Sequence, residues 1–75
     1  MIYTNQEKEY LGQIGGRIRK LRLELGISQE KLSFSSELDR TYIGSVERGE
    51  RNISVINLQK IAKALNTEPS ELLKF

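Results

Sequence analysis

The 75-residue sequence predicts an all-α domain, a compact bundle of five short helices. Three observations predict it. Thr4, Ser28, Asp39 and Ser54 each stand as a capping residue before apolar residues at helical spacing. β-branched residues nowhere alternate over a strand length, and the single proline, Pro69, lies near the C-terminus. A chain of this length forms one domain, residues 1–75, whose core is small enough that a partner subunit adds materially to its stability.

The first helix opens at Thr4, which with Glu7 makes a T-x-x-E capping signature. Tyr10, Ile14, Ile18, Leu21 and Leu25 then recur at helical spacing up to Gly26. Gly12, Gly15 and Gly16 each weaken this helix by about 1 kcal/mol relative to alanine, so the stretch before Arg17 is expected to fray, bend or pack closely on a neighbour. Ser28 caps a second helix from Gln29 to about Ser35, which buries Leu32 and leaves Phe34 in partial contact. A break around Ser36 to Leu38 follows, and Asp39 caps a third helix from Arg40 to about Arg48, stopped by Gly49. Beyond the loop "GERNI", Ser54 caps a fourth helix that buries Ile56 or Leu58 together with Ile61, Ala62 and Leu65 and ends near Asn66. Pro69 opens a short fifth helix ending in "ELLKF".

Composition removes several classes of function. The chain has no cysteine and no histidine, so the usual nucleophile, general base and zinc ligands are missing, in a chain too short to enclose a sizeable pocket. No enzyme activity, metal, cofactor or small-molecule ligand is expected. No apolar run approaches the roughly 20 residues needed to span a bilayer, and "MIYTNQEKEY" lacks the character of a secretory signal, which points to a cytoplasmic protein with no membrane partner. The net charge is only +2, so affinity for nucleic acid has to come from where the arginines sit.

Their placement is informative. Gln29 and Arg40 open helices eleven residues apart with a short turn between, the spacing of a helix-turn-helix over about residues 28–48. On a helical wheel Ile43 and Val46 point inward beside Leu32 and Leu38, whereas Arg40, Thr41, Gly44, Ser45 and Arg48 fall on the opposite side. That outward side suits the major groove. Arginine places two donors on guanine, threonine offers a hydroxyl and a methyl, serine bonds either class of base edge, and a bare glycine lets the backbone approach. A merely solvated charged face is the competing reading.

The segment "GISQEKLSFSSELDRTYIGSVERGERNIS" resembles the Cro/repressor-type (XRE) helix-turn-helix regulators, through S-Q-E-x-L, Y-I-x-x-V-E-R-G and the following I-x-x-L-x-x-I-A-x-A-L-N. The resemblance covers about Ile14 to Leu73 and implies a lambda repressor-like DNA-binding domain. Within that family "LDRTYI" with "ERGERNIS" is most similar to the controller proteins of bacterial restriction-modification systems, which implies a dimeric regulator of its own gene and the endonuclease gene. Antitoxin-like or phage-type repressors are the nearest alternatives. A helical protein-interaction adaptor that does not bind DNA is the alternative of another class.

Carried over residue by residue, the resemblance implies base contacts by Arg40, Thr41 and Ser45. It implies backbone or mixed contacts by Ser28, Gln29, Tyr42, Arg48, Arg51 and Asn52. A Tyr42 ring packed on the core and a mobile loop at Arg48, Arg51 and Asn52 are the bland counterparts. Arg22 and Glu47 match a structural ion pair, so Glu47 is read as a holder of Arg22. Where the family's turn usually has glycine this chain has Glu37, and Ser33 and Ser36 replace more apolar residues, which predicts a wider turn.

A module this small makes few base contacts, so a homodimer on two half-sites about 34 Å apart is expected on double-stranded DNA. The C-terminal helices, about residues 54–75, offer the candidate interface: Ile53, Val55, Ile56, Leu72 and Phe75, unless these only close the monomer core. Activation would further require a patch contacting RNA polymerase, with Glu30, Glu37 and Glu50 as the acidic candidates.

Overall fold

The computed structural model describes residues 2–75. Four α-helices and one 3-10 helix follow in order: α1 (Asn5–Glu24), α2 (Gln29–Ser36), α3 (Arg40–Glu47), α4 (Val55–Ala64) and a 3-10 helix (Pro69–Leu73). The expected fifth α-helix is therefore a 3-10 turn, in keeping with its five residues and a proline at its start.

All four α-helices begin and end by the same two devices. The side chains of Thr4, Ser28, Asp39 and Ser54 accept the backbone N–H groups of Glu7, Lys31, Thr41 and Asn57 respectively, and the Glu7 carboxylate accepts the Thr4 N–H in turn to complete a capping box. At the other ends Gly26, Glu37, Gly49 and Asn66 adopt positive φ. The next residue's N–H then closes back on a carbonyl five positions earlier: Ile27 to Arg22, Leu38 to Ser33, Glu50 to Ser45 and Thr67 to Ala62. These are Schellman closures, which use the last unpaired carbonyls and turn the chain sharply.

Glu37 holds the left-handed conformation (φ 59°) that favours glycine, at a strain of about 1 kcal/mol. The wider turn expected from Ser33 and Ser36 is not present. The Ser33 hydroxyl donates to the Leu38 carbonyl, answering the Leu38 N–H bond to Ser33, and the buried Ser36 hydroxyl donates to Leu32 at 2.7 Å. The two hydroxyls satisfy the turn's own backbone, so polar residues fit where apolar ones were expected.

Ile14, Ile18, Leu32, Ile43, Val46, Leu58, Ile61, Ala62, Leu65 and Leu72 form the core, with Tyr42, Leu38 and Ile53 packed at its edge. The buried stripe of α1 is Leu11, Ile14, Gly15, Ile18 and Arg22, not the one through Tyr10 and Leu25, which are both about half exposed. Tyr10 lies outside, edge-on to Phe75 with ring centroids 5.7 Å apart. Gly15 and the backbone at Gly12 are closely packed, whereas Gly16 faces open space: a β-carbon on Gly15 would lie 2.2 Å from the Val46 carbonyl oxygen, and one on Gly49 would lie 2.7 Å from Cα of Gly12. Here α1 meets the end of α3, backbone to backbone. Arg17 donates from Nε to the Glu71 carbonyl at 3.0 Å and ties α1 to the 3-10 helix. No helix among the described residues is long and apolar enough to cross a membrane.

Candidate nucleic-acid interface

The core fixes which side of α3 is outside. Ile43 and Val46 are buried, which turns the N-terminal end of the helix outward with Arg40 and Thr41 both exposed. Asp39 caps that end through the Thr41 N–H at 2.7 Å, so the backbone carrying the two side chains is ordered by a local bond. Among the described residues neither side chain is engaged in a hydrogen bond or an ion pair.

The rest of the expected outward side needs correcting. Gly44 and Ser45 are both buried. A β-carbon on Gly44 would lie 3.2 Å from Nη1 of Arg48 and 3.5 Å from Oε1 of Gln29, so the missing side chain leaves room for both polar groups beside the helix. Ser45, expected to read a base, is 5% exposed. Its hydroxyl donates to the Tyr42 carbonyl at 2.7 Å and accepts from Nε of Arg51 at 3.0 Å. Its only hydroxyl hydrogen is thus already committed to the helix backbone.

Beneath this surface Arg22 donates from Nε and Nη2 to the two carboxylate oxygens of Glu47, at 2.7 and 2.9 Å, and from Nη1 to the Ile27 carbonyl at 2.9 Å. The arginine–carboxylate fork is the strongest geometry for such a pair, and the hydrogen bond from Arg22 to Glu47 raises the pKa of its guanidinium further. Gln29 donates from Nε2 to Glu47 at 3.1 Å, so the first residue of α2 is held by the last residue of α3. Glu47 therefore braces Gln29 as well as Arg22, with its carboxylate turned away from the surface.

Tyr42 is half-buried against the core and its hydroxyl accepts from Nδ2 of Asn57 at 3.1 Å, while Arg51 lies over its ring at 5.7 Å. Arg48 and Glu50 form an exposed forked pair, Nε to Oε2 at 2.9 Å and Nη2 to Oε1 at 3.1 Å. The hydrogen bond from Arg48 holds the Glu50 carboxyl below the usual carboxylate range, and the same bond raises the pKa of the guanidinium. Ser28 is occupied by the Lys31 N–H as the cap of α2. Asn52 stands apart from this cluster, lining a surface depression with Tyr3, Thr4 and Tyr10. The folded chain thus places Gln29 and Arg48 near Gly44 and groups Tyr42, Ser45 and Arg51 together, all on or against the helix that carries Arg40 and Thr41.

Two residues of this surface escaped the sequence reading: Asn57, which fixes the Tyr42 hydroxyl across fifteen positions of chain, and Glu50, as the partner of Arg48. Only the second leaves a trace in sequence, as an opposite charge two positions away.

The expected dimer residues divide. Val55, Ile56 and Phe75 are 79%, 58% and 57% exposed, Ile53 is half-buried at the core edge, and Leu72 is fully buried. Leu72 is therefore a core residue and no part of a free surface. The 3-10 helix needs one apolar side chain to anchor it, and Leu72 is that anchor.

Sequence comparison places a helix-turn-helix family profile on residues 18–72. The chain is 50% identical over 73 residues to the control protein C.BamHI of Bacillus amyloliquefaciens, covering 96% of this chain and 86% of the relative. It is 44% identical over 61 residues to the control protein C.MunI of a Mycoplasma species, covering 80% of this chain and 82% of the relative. Among solved structures it is similar to the restriction-modification controller protein C.AhdI from Aeromonas hydrophila, with a TM-score of 0.81 and 55% identity over 83% of this chain and 94% of that one.

Proposed function

This chain belongs to the helix-turn-helix family of restriction-modification control proteins, and on that premise we propose that it binds double-stranded DNA as a homodimer, recognises an approximately palindromic operator, and controls transcription of its own gene and of the endonuclease gene. The observation that carries the reading is the capped, outward N-terminal end of α3, where Arg40 and Thr41 stand exposed while Ile43 and Val46 fix the opposite side in the core. Presented to a major groove, Arg40 forks onto guanine and Thr41 meets a neighbouring base. Gln29 and Arg48, both close to Gly44, grip phosphates along one edge of the groove, with the dipole of α2 behind Gln29. Ser28 and Asn52 extend the backbone contacts, and Tyr42 packs beside the phosphate path with Arg51.

Val55, Ile56 and Phe75 supply the dimer contact, and a two-fold axis through them sets two half-sites one helical turn apart. Concentration is the control variable: one occupied operator recruits RNA polymerase through an exposed acidic patch, and further occupancy blocks the promoter. The test is retardation and footprinting of the DNA upstream of the gene. The expected result is a two-fold symmetric footprint at protein concentrations that leave random DNA free; equal retardation of both DNAs would overturn the reading.

A further inference from the structure

Arg51 sits on a loop, yet its guanidinium is held from two directions. Nε donates to the Ser45 hydroxyl at 3.0 Å, and the group lies over the Tyr42 ring at 5.7 Å. Each support is itself anchored: Ser45 is 5% exposed and bonded to the Tyr42 carbonyl, and the Tyr42 hydroxyl takes a bond from Asn57 of α4. A guanidinium has five N–H donors in a rigid plane, so committing Nε leaves the two terminal amino groups as a fork facing away from Ser45. Arg48 differs. Its Nε and one terminal nitrogen are both occupied by the Glu50 carboxylate, on side chains that are 59% and 56% exposed.

We propose that Ser45 and the Tyr42 ring are positioning residues that aim Arg51 at the duplex before DNA arrives, so that Ser45 acts on DNA through Arg51 and not by reading a base. This rests on the DNA-binding reading given above. An arginine on an unsupported loop loses its rotamer freedom only on binding, at a cost of about two- to tenfold in affinity. The brace moves that cost to folding. It also divides labour between the two loop arginines: Arg51 enters the complex with its orientation chosen, whereas Arg48 exchanges Glu50 for a phosphate.

The test uses Ser45→Ala and Arg51→Ala singly and together, in the full chain, with thermal melts showing that each variant folds. In free protein the Nε–H resonance of Arg51, assigned by its loss in Arg51→Lys, is expected to exchange slowly with water and to move to the solvent-exposed arginine position in Ser45→Ala. On operator DNA, Ser45→Ala weakens binding about fivefold in the natural background and leaves it unchanged in the Arg51→Ala background. Equal loss in both backgrounds would show that Ser45 reaches DNA itself and would overturn the inference, as would an Arg51 Nε–H signal indifferent to Ser45. Wild-type protein that shows no operator preference overturns the functional reading, and the purpose of the brace with it, while the resonance still reports whether the brace exists.

Discussion

Replacing Glu47 by alanine removes a carboxylate whose side-chain hydrogen bonds join α1, α2 and α3. Arg22 and Glu47 are 8% and 2% exposed, and three donors converge on the carboxylate: two from Arg22 at 2.7 and 2.9 Å and one from Gln29 at 3.1 Å. Truncation leaves a buried guanidinium with only the Ile27 carbonyl for a partner. Breaking a buried pair from one side costs about 3–5 kcal/mol, and the retained Ile27 bond places this case at the lower end. For a domain of this size 1 kcal/mol corresponds to about 4–8 °C, so the melting temperature should fall by about 12–24 °C. A total stability of about 4–11 kcal/mol leaves a transition that far-UV circular dichroism can follow in heat and urea. The companion Arg22→Met/Glu47→Leu variant removes both charges and should lose far less, because the main cost is an orphaned charge. A fall under about 4 °C for Glu47→Ala, or equal losses for the single and double variants, would refute the reasoning.

Gly15→Ala should be among the most damaging single changes, since its β-carbon would enter the Val46 carbonyl, whereas Gly16→Ala, with open space around it, should stabilise α1 by up to about 1 kcal/mol in denaturant titrations. Leu72→Ala should cost about 2–5 kcal/mol in the same titrations and leave self-association intact, while Ile56→Asp should shift light scattering at micromolar concentration from dimer towards monomer with little change in the monomer's melt. Glu50→Ala releases Arg48 and should raise affinity for random DNA, with a salt dependence steeper by about one phosphate contact. The same release should occur in the wild type as pH falls. Arg48 keeps the Glu50 carboxyl ionised into acid below its ordinary range, so the pair persists above that point and opens only beneath it. Glu50→Ala should lack this component of the pH profile.

What could be read in advance follows from how local each determinant is. The caps Thr4, Ser28, Asp39 and Ser54 act within three residues, so helix starts were legible from composition and spacing. The helix ends at Gly26, Gly49 and Asn66 were legible for the same reason. The buried stripe of α1 was legible only in part: Ile14 and Ile18 lie on it, but Tyr10 and Leu25 are apolar side chains left about half exposed, and Arg22 is buried because Glu47, 25 positions away, takes its charge, a pairing that only the family resemblance supplied. Ser45 was misplaced for a related reason. A serine hydroxyl in a helix can satisfy itself on a backbone carbonyl three residues earlier, so a polar side chain there does not oblige an exposed position. Leu72 and Leu73 are indistinguishable by type, and only the turn of the 3-10 helix decides that the first is buried. The exposure of Arg40 and Thr41 was legible, because it follows from the burial of Ile43 and Val46. Legibility was lost where side chains bond across loops.

The most direct test of α3 as the reading element compares Arg40→Ala and Arg48→Ala by fluorescence anisotropy, each titrated against operator and random DNA at one salt concentration. Arg40→Ala should lose about 1–3 kcal/mol on operator and almost nothing on random DNA, while Arg48→Ala should weaken both alike. Equal loss on both DNAs for Arg40→Ala would contradict insertion of the N-terminal end of α3 into the groove.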